Sequence, residues 1–181
     1  MRSTSPLTPG TVPRNVTYSR VAAKHRLAAW VRLLALTAAH PGRSFGAATV
    51  GRAGGGARVT VARIPPLAAG DALAHLATLV DLHDRGMREP LPLYCGTSAA
   101  YAEAGNARDA WTSSWNFDRE DKELEHQLVL GGVLTFDDLL AEPPRADEAG
   151  DGWSMDETSR FGRCARRLWH GLLAVEELTS R

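Results

Sequence analysis

Two proline stops, Pro41–Gly42 and Pro65–Pro66, punctuate the first half of this chain, and the stretch between them fits a β-hairpin better than any other element. Helix cannot run through Pro41–Gly42 or Pro65–Pro66, because proline lacks a backbone donor and its ring clashes with the preceding turn. Between them, Ser44–Arg52 (SFGAATVGR) and Ala57–Ile64 (ARVTVARI) flank Ala53-Gly54-Gly55-Gly56. Glycine tolerates the positive φ that tight hairpin loops require. In the second strand Val59 and Val61 alternate with Arg58, Thr60 and Ala62, which predicts one buried face.

Helical patterns bracket the hairpin. From Ala22 to Ala39 the residues Leu27, Trp30, Val31, Leu34 and Ala38 recur at three- and four-residue steps, predicting one apolar stripe. A second helix is predicted from Ala72 to Arg85, with Asp71 as its N-cap. Beyond it, Glu89–Tyr94 (EPLPLY) reads as extended, and Thr97 or Ser98 as the cap of a short helix through Ala104. Further helical patterns cover 106–131, Thr135–Ala141 and Ser159–Leu178, with a polar, mobile linker expected over Glu142–Gly152. Residues 1–17 lack periodicity and read as a disordered lead-in to a domain spanning 18–181. The expected class is α/β (α+β), a small sheet flanked by helices.

Charge is divided with unusual completeness. The first 70 residues hold nine arginines and Lys24 without one acid; from Asp71 onward, ten arginines and Lys122 face all 21 acids. The halves therefore carry +10 and −10 within a chain of zero net charge. Either the first half meets an acidic partner such as nucleic acid, or the halves complement each other within one fold. No apolar run reaches the roughly 18 residues that span a bilayer, and Met1–Arg20 holds no apolar segment of a secretory signal. A cytoplasmic location is the expectation. Cys95 and Cys164 lack a second Cys or a His at ligand spacing and read as small buried or semi-buried residues.

The order helix, hairpin, helix is the central element of restriction-type nucleases of the PD-(D/E)XK class. Those enzymes place an Asp near the end of one strand and an acid-x-Lys pair on the next, so that carboxylates hold Mg²⁺ and Lys orients the attacking water. Here no Asp, Glu or Lys occurs between His40 and Gly70, and the acid-x-Lys position reads Val61-Ala62-Arg63. This element cannot assemble that site, and the expected inventory is no catalytic residue, no metal and no cofactor.

Other groupings are weaker. Asp118, Glu120, Asp121, Glu123 and Glu125 alternate with Arg119 and Lys122 and read as a solvated, partly paired helix face. Glu123 and His126 form a single Glu-x-x-His, where di-iron bundles need two plus further glutamates. Asp81, His83 and Asp84 gather at a helix end, where a general-base role is conceivable but His more often finishes an apolar stripe or caps carbonyls. Ser98, His126 and Asp138 make a triad only on paper, since no nucleophile elbow surrounds Ser98. Gly54–Gly56 lacks the Lys-Ser/Thr of a phosphate loop. Arg160, Arg163, Arg166 and Arg167 open the last helix against its dipole; they read as a solvated face, or as partners of an external anion or of the acidic 147–157 loop. Trp111, Trp115 and Phe117 read as core, with base stacking the alternative. The expected DNA-contacting residues are Arg43, Arg52, Arg58 and Arg63, which border the hairpin and can track phosphates.

Four segments in order, Lys24–His40 (KHRLAAWVRLLALTAAH), Leu79–Tyr94 (LVDLHDRGMREPLPLY), Arg119–Glu123 (REDKE) and Ser159–Leu178 (SRFGRCARRLWHGLLAVEEL), resemble the C-terminal domain of the RecC family, the gamma subunit of exodeoxyribonuclease V, in its actinobacterial form. The resemblance implies a nuclease-like fold that has lost its metal-binding carboxylates. It implies a scaffold beside RecB- and RecD-like helicase subunits that channels duplex DNA ends in double-strand break repair. Family members are several times longer. Two other readings compete: a Mg²⁺-dependent nuclease whose carboxylates have moved to 118–125 or 81–84, and a gene fragment without function.

Overall fold

The computed structural model describes residues 14–53 and 58–181. The glycine loop expected at the hairpin tip and most of the expected lead-in lie outside the described residues. The elements run β1 (Arg14–Arg20), α1 (Ala23–Ala39), β2 (Ala47–Arg52), β3 (Val59–Ile64), α2 (Ala69–Gly86), α3 (Cys95–Ala102), α4 (Ala107–Trp111), α5 (Leu124–Leu130), α6 (Phe136–Ala141), α7 (Arg160–Leu173) and β4 (Glu177–Ser180). The chain forms two compact units, Met1–Leu76 with Val175–Arg181, and Ala77–Ala174. The fold is mixed α+β.

The first unit holds a four-stranded sheet in the order β1-β2-β3-β4. The expected hairpin is present: β2 and β3 pair antiparallel, from Ala47 opposite Ile64 to Arg52 opposite Val59. β1 is a correction, because the segment expected to be disordered through residue 17 supplies a strand parallel to β2. Gly51 permits that approach: a Cβ there would lie 2.7 Å from the Ser19 carbonyl oxygen. β4 is a second correction. The last helix ends at Leu173 instead of Leu178, and the chain turns to pair antiparallel with β3. A ladder along an open sheet edge satisfies backbone groups that a further helical turn would leave unrelated to β3.

Helix α1 buries Ala29, Trp30, Leu33 and Leu34, a stripe rotated by one residue from the expected one, with Val31 exposed. The rotation has a cause. Arg26 lies in the buried stripe, 8% exposed, ion-paired with Glu176, 2% exposed, just before β4. An apolar periodicity cannot register a buried arginine whose partner lies 150 residues away. Helix α2 begins at Ala69, so Asp71 sits in its first turn instead of capping it.

The second unit is helical. Tyr94, Ala107, Trp111, Phe136, Leu139 and Phe161 form one apolar cluster, and Leu82, Trp153 and Cys164 another. Burial pushes the Cys164 thiol up to about 12, as an inert core residue requires. Helix α7 enters this core with Phe161, Cys164, Ala165, Trp169 and Leu172, its first turn capped by Ser159, whose hydroxyl accepts from Gly162 N–H at 3.0 Å. Trp169 Nε1 donates to Ser98 Oγ at 2.9 Å, and Trp111 Nε1 to the Leu134 carbonyl at 2.9 Å.

Region 106–131 is broken instead of continuously helical. Asn106 caps the short α4, and a 3-10 turn over Glu120–Lys122 precedes α5. Helix α3 starts at Cys95, two residues before the expected cap, because a distant carboxylate replaces a local one. Glu120 accepts from Gly96 N–H and Thr97 N–H, each at 2.7 Å.

Candidate nucleic-acid interface

Strand alternation decides where the hairpin arginines point. Along β2, Ala47, Thr49 and Gly51 are buried while Ala48, Val50 and Arg52 are not. Register carries the same division across the sheet, since residues paired between strands share a face. The outward face therefore holds the row Val16–Val50–Val61–Thr179, with Arg63 opposite Ala48 and Glu177 on one side of it. On the other side lie Arg20, Arg52 and Val59, with Arg20 registered directly against Arg52.

The structure thus separates the four expected arginines. All four are exposed. Arg52 and Arg63 share the outward face at opposite ends of the ladder. Arg43 precedes β2, its guanidinium 5.2 Å from the centroid of the Phe45 ring. Arg58 precedes β3, where its backbone N–H donates to the Arg181 carbonyl at 2.7 Å. Sequence reasoning missed Arg20, because a segment without periodicity gave no signal that it would join the sheet.

Several of the second unit's carboxylates already hold partners. Asp118 pairs with Lys122 at 2.8 Å. Asp121 is buried, contrary to the expected solvated face, and accepts from Ser113 N–H at 3.0 Å and from the Ser113 hydroxyl. Both Glu120 oxygens hold the start of α3, one of them also accepting from the Thr97 hydroxyl at 2.6 Å. Asp118, Glu120 and Glu123 border an open recess of about 450 Å³. Among the described residues no three His, Cys, Asp or Glu side chains gather as a metal site. The paper triad is dispersed: Ser98 Oγ accepts from Trp169, His126 Nδ1 bonds the Glu120 carbonyl at 2.7 Å, and Asp138 closes the capping box of α6 with Thr135. His83 is exposed, 3.7 Å from Asp84, and finishes no apolar stripe.

The arginines that open α7 turn inward, against the reading of a solvated face. Arg160 Nε donates to Glu148 at 2.7 Å, Nη1 to Glu142 at 3.2 Å and Nη2 to Glu89 at 2.8 Å. Glu148 is 1% exposed, so the segment expected to be a mobile linker is fixed from within. Arg166 pairs with Glu157 at 2.6 Å and Arg167 with Asp81 at 2.8 Å, the latter stacking 4.4 Å above Trp153. Burial opposes ionisation of Asp81, yet hydrogen bonds from Arg167 and Arg85 hold its carboxyl below the ordinary value. These arginines meet the acidic 147–157 loop and its neighbours.

Trp111 is core, as expected, but Trp115 is 99% exposed and Phe117 lies open beside it. Leu124, Leu128 and Val129 of α5 and the following Val133 are exposed as well.

The family model described as the RecC C-terminal domain matches residues 7–106, more than half of the chain. The chain belongs to the RecC C-terminal domain family. Relatives named RecBCD enzyme subunit RecC bear this out. The protein from Mycobacterium tuberculosis is 38% identical over 173 residues, and that from Mycolicibacterium smegmatis 39% over 170. Both alignments cover 90% of this chain and 15% of the relative. The chain therefore spans about one seventh of the length of the RecC proteins it matches. No helix among the described residues is long and apolar enough to cross a membrane.

Proposed function

We propose that the chain is a non-catalytic, DNA-contacting scaffold domain of a RecBCD-type helicase–nuclease acting in double-strand break repair. One observation carries this reading: the basic unit presents a hairpin that holds no carboxylate on either strand, in a helix–hairpin–helix order that fits the proposal of a degenerate PD-(D/E)XK core. Such a surface attracts phosphates and lacks the oxygen ligands that hard divalent cations need. Arg43, Arg52, Arg58 and Arg63 are the proposed contacts to duplex DNA ends.

The scaffold part of the reading is supported by the second unit. The exposed Trp115 and Phe117, and the exposed Leu124, Leu128 and Val129 of α5, are apolar surface of the kind that another polypeptide covers. The proposed partners are RecB- and RecD-like subunits, and the compartment is the cytoplasm. The relocated-nuclease reading is disfavoured because Asp118, Glu120, Asp121 and Asp81 each already hold a structural partner.

Co-expression with RecB- and RecD-like subunits and purification through a tag on this chain tests the assembly. Co-elution at physiological salt is the expected result, weakened by Trp115→Ser together with Leu128→Ser. Absence of association at that salt overturns the scaffold reading.

A further inference from the structure

Arg20 and Arg52 are neighbours across the β1–β2 ladder on the outward face, and both are exposed. Adjacent strands lie about 4.8 Å apart, so two guanidinium-bearing side chains rise from nearly the same spot. Like charges placed directly opposite on a sheet destabilise it. Neither arginine makes an ion pair among the described residues, and no acid stands in their row, which continues to Val59. The acids of this unit are elsewhere: Asp71 lies on α2, Glu176 pairs with Arg26, and Glu177 faces Arg63 at the other end of the ladder. The described acids of this unit do not relieve the arrangement, and an external anion would.

We infer that Arg20 and Arg52 form a two-pronged phosphate clamp for the backbone of duplex DNA. The inference rests on the DNA-contacting reading above and adds to it a residue, Arg20, and a geometry. Each guanidinium offers parallel N–H donors in a fork that fits two phosphate oxygens, which lysine does not reproduce. Next to the clamp the flanking row is apolar over Val16–Val50–Val61 and ends in Thr179 on the far strand, so the contact at the clamp is to phosphate and is indifferent to sequence. Arg63, about four residues further along the ladder and beside Glu177, is the weaker contact.

The test uses the full chain, a fluorescein-labelled 20-base-pair duplex, and anisotropy titrations between 50 and 200 mM salt. The double variant R20Q/R52Q is expected to lower the slope of log K against log salt by about 2, one for each phosphate no longer neutralised. At 0.15 M salt that corresponds to about thirtyfold weaker binding. The variant's thermal midpoint is expected to equal or exceed that of the parent chain, since the repulsion is gone. R20K/R52K retains the charge and is expected to recover the slope while binding less tightly than the parent. A slope unchanged in R20Q/R52Q overturns the clamp alone. A slope that falls in R20Q/R52Q and does not recover in R20K/R52K assigns the change to structure and overturns it too. A parent chain that binds no duplex overturns the DNA-contacting reading together with the clamp.

Discussion

The two compact units treat arginine in opposite ways. In the sheet unit, Arg20, Arg52 and Arg63 stand exposed on the outward face, while Arg26 is drawn inward by Glu176. In the helical unit four arginines brace the fold, while Arg88, Arg108, Arg119 and Arg145 are exposed: Arg160 binds three glutamates, Arg85 binds Asp81 and Asp147, Arg166 binds Glu157 and Arg167 binds Asp81. One residue type therefore serves mainly as surface charge in one unit and as internal bracing in the other. The division of charge along the sequence parallels this difference, because bracing needs acids nearby and exposed cationic surface does not.

The comparison breaks most visibly at Arg160. Arg160→Met strands Glu148 in the interior with no cation, and the expected loss is about 3–5 kcal/mol of unfolding free energy, read from urea denaturation. An unchanged midpoint would show that the network contributes nothing. Arg26→Met, which strands Glu176 alone, is expected to fall at the low end of that range, about 3 kcal/mol.

A titration sharpens the contrast next. Asp81 has its folded value lowered, so its contribution is complete above the usual carboxylate value of 3.8 and is lost as pH falls through the folded value. The helical unit is expected to lose stability below about pH 4, and Asp81→Asn to flatten that limb. Cys164 has its folded value raised to about 12 from 9.0, so its contribution is complete below 9.0 and disappears as pH climbs toward 12. Cys164→Ala is expected to remove that alkaline loss, as followed by circular dichroism. The smallest effect is expected where the comparison is most specific. Arg52→Gln, Arg58→Gln and Arg63→Gln are each expected to change stability by less than about 0.5 kcal/mol. A larger loss at any of them would mean that the sheet unit also uses its surface arginines as bracing.

Local pattern made much of the fold legible. Proline stops and the two strand-like runs located the hairpin, although its buried face is Ala62 and Ile64 and the alternating Val59 and Val61 face outward, and three- and four-residue steps located α1 and the start of α7. What stayed hidden was whatever depends on a distant partner. β1 has strand-formers in Val16, Thr17 and Tyr18 but no alternation of apolar and polar residues, β4 has only Thr179, and both pair because β2 and β3 offer them edges. Helix α3 starts early because Glu120 supplies its cap from 24 residues away. Arg26 and Arg160 are buried because glutamates remote in sequence meet them. At the candidate interface, the absent carboxylates and the hairpin arginines could be read directly, whereas Arg20 required the register of β1 against β2.

Whether this hairpin engages DNA without cutting it is measured most directly on linear duplex. The purified chain is incubated with that duplex and Mg²⁺ or Mn²⁺, and the products are resolved on a denaturing gel. Salt-dependent binding with the duplex recovered intact is the predicted result. Metal-dependent cleavage that disappears in Asp121→Asn would contradict it.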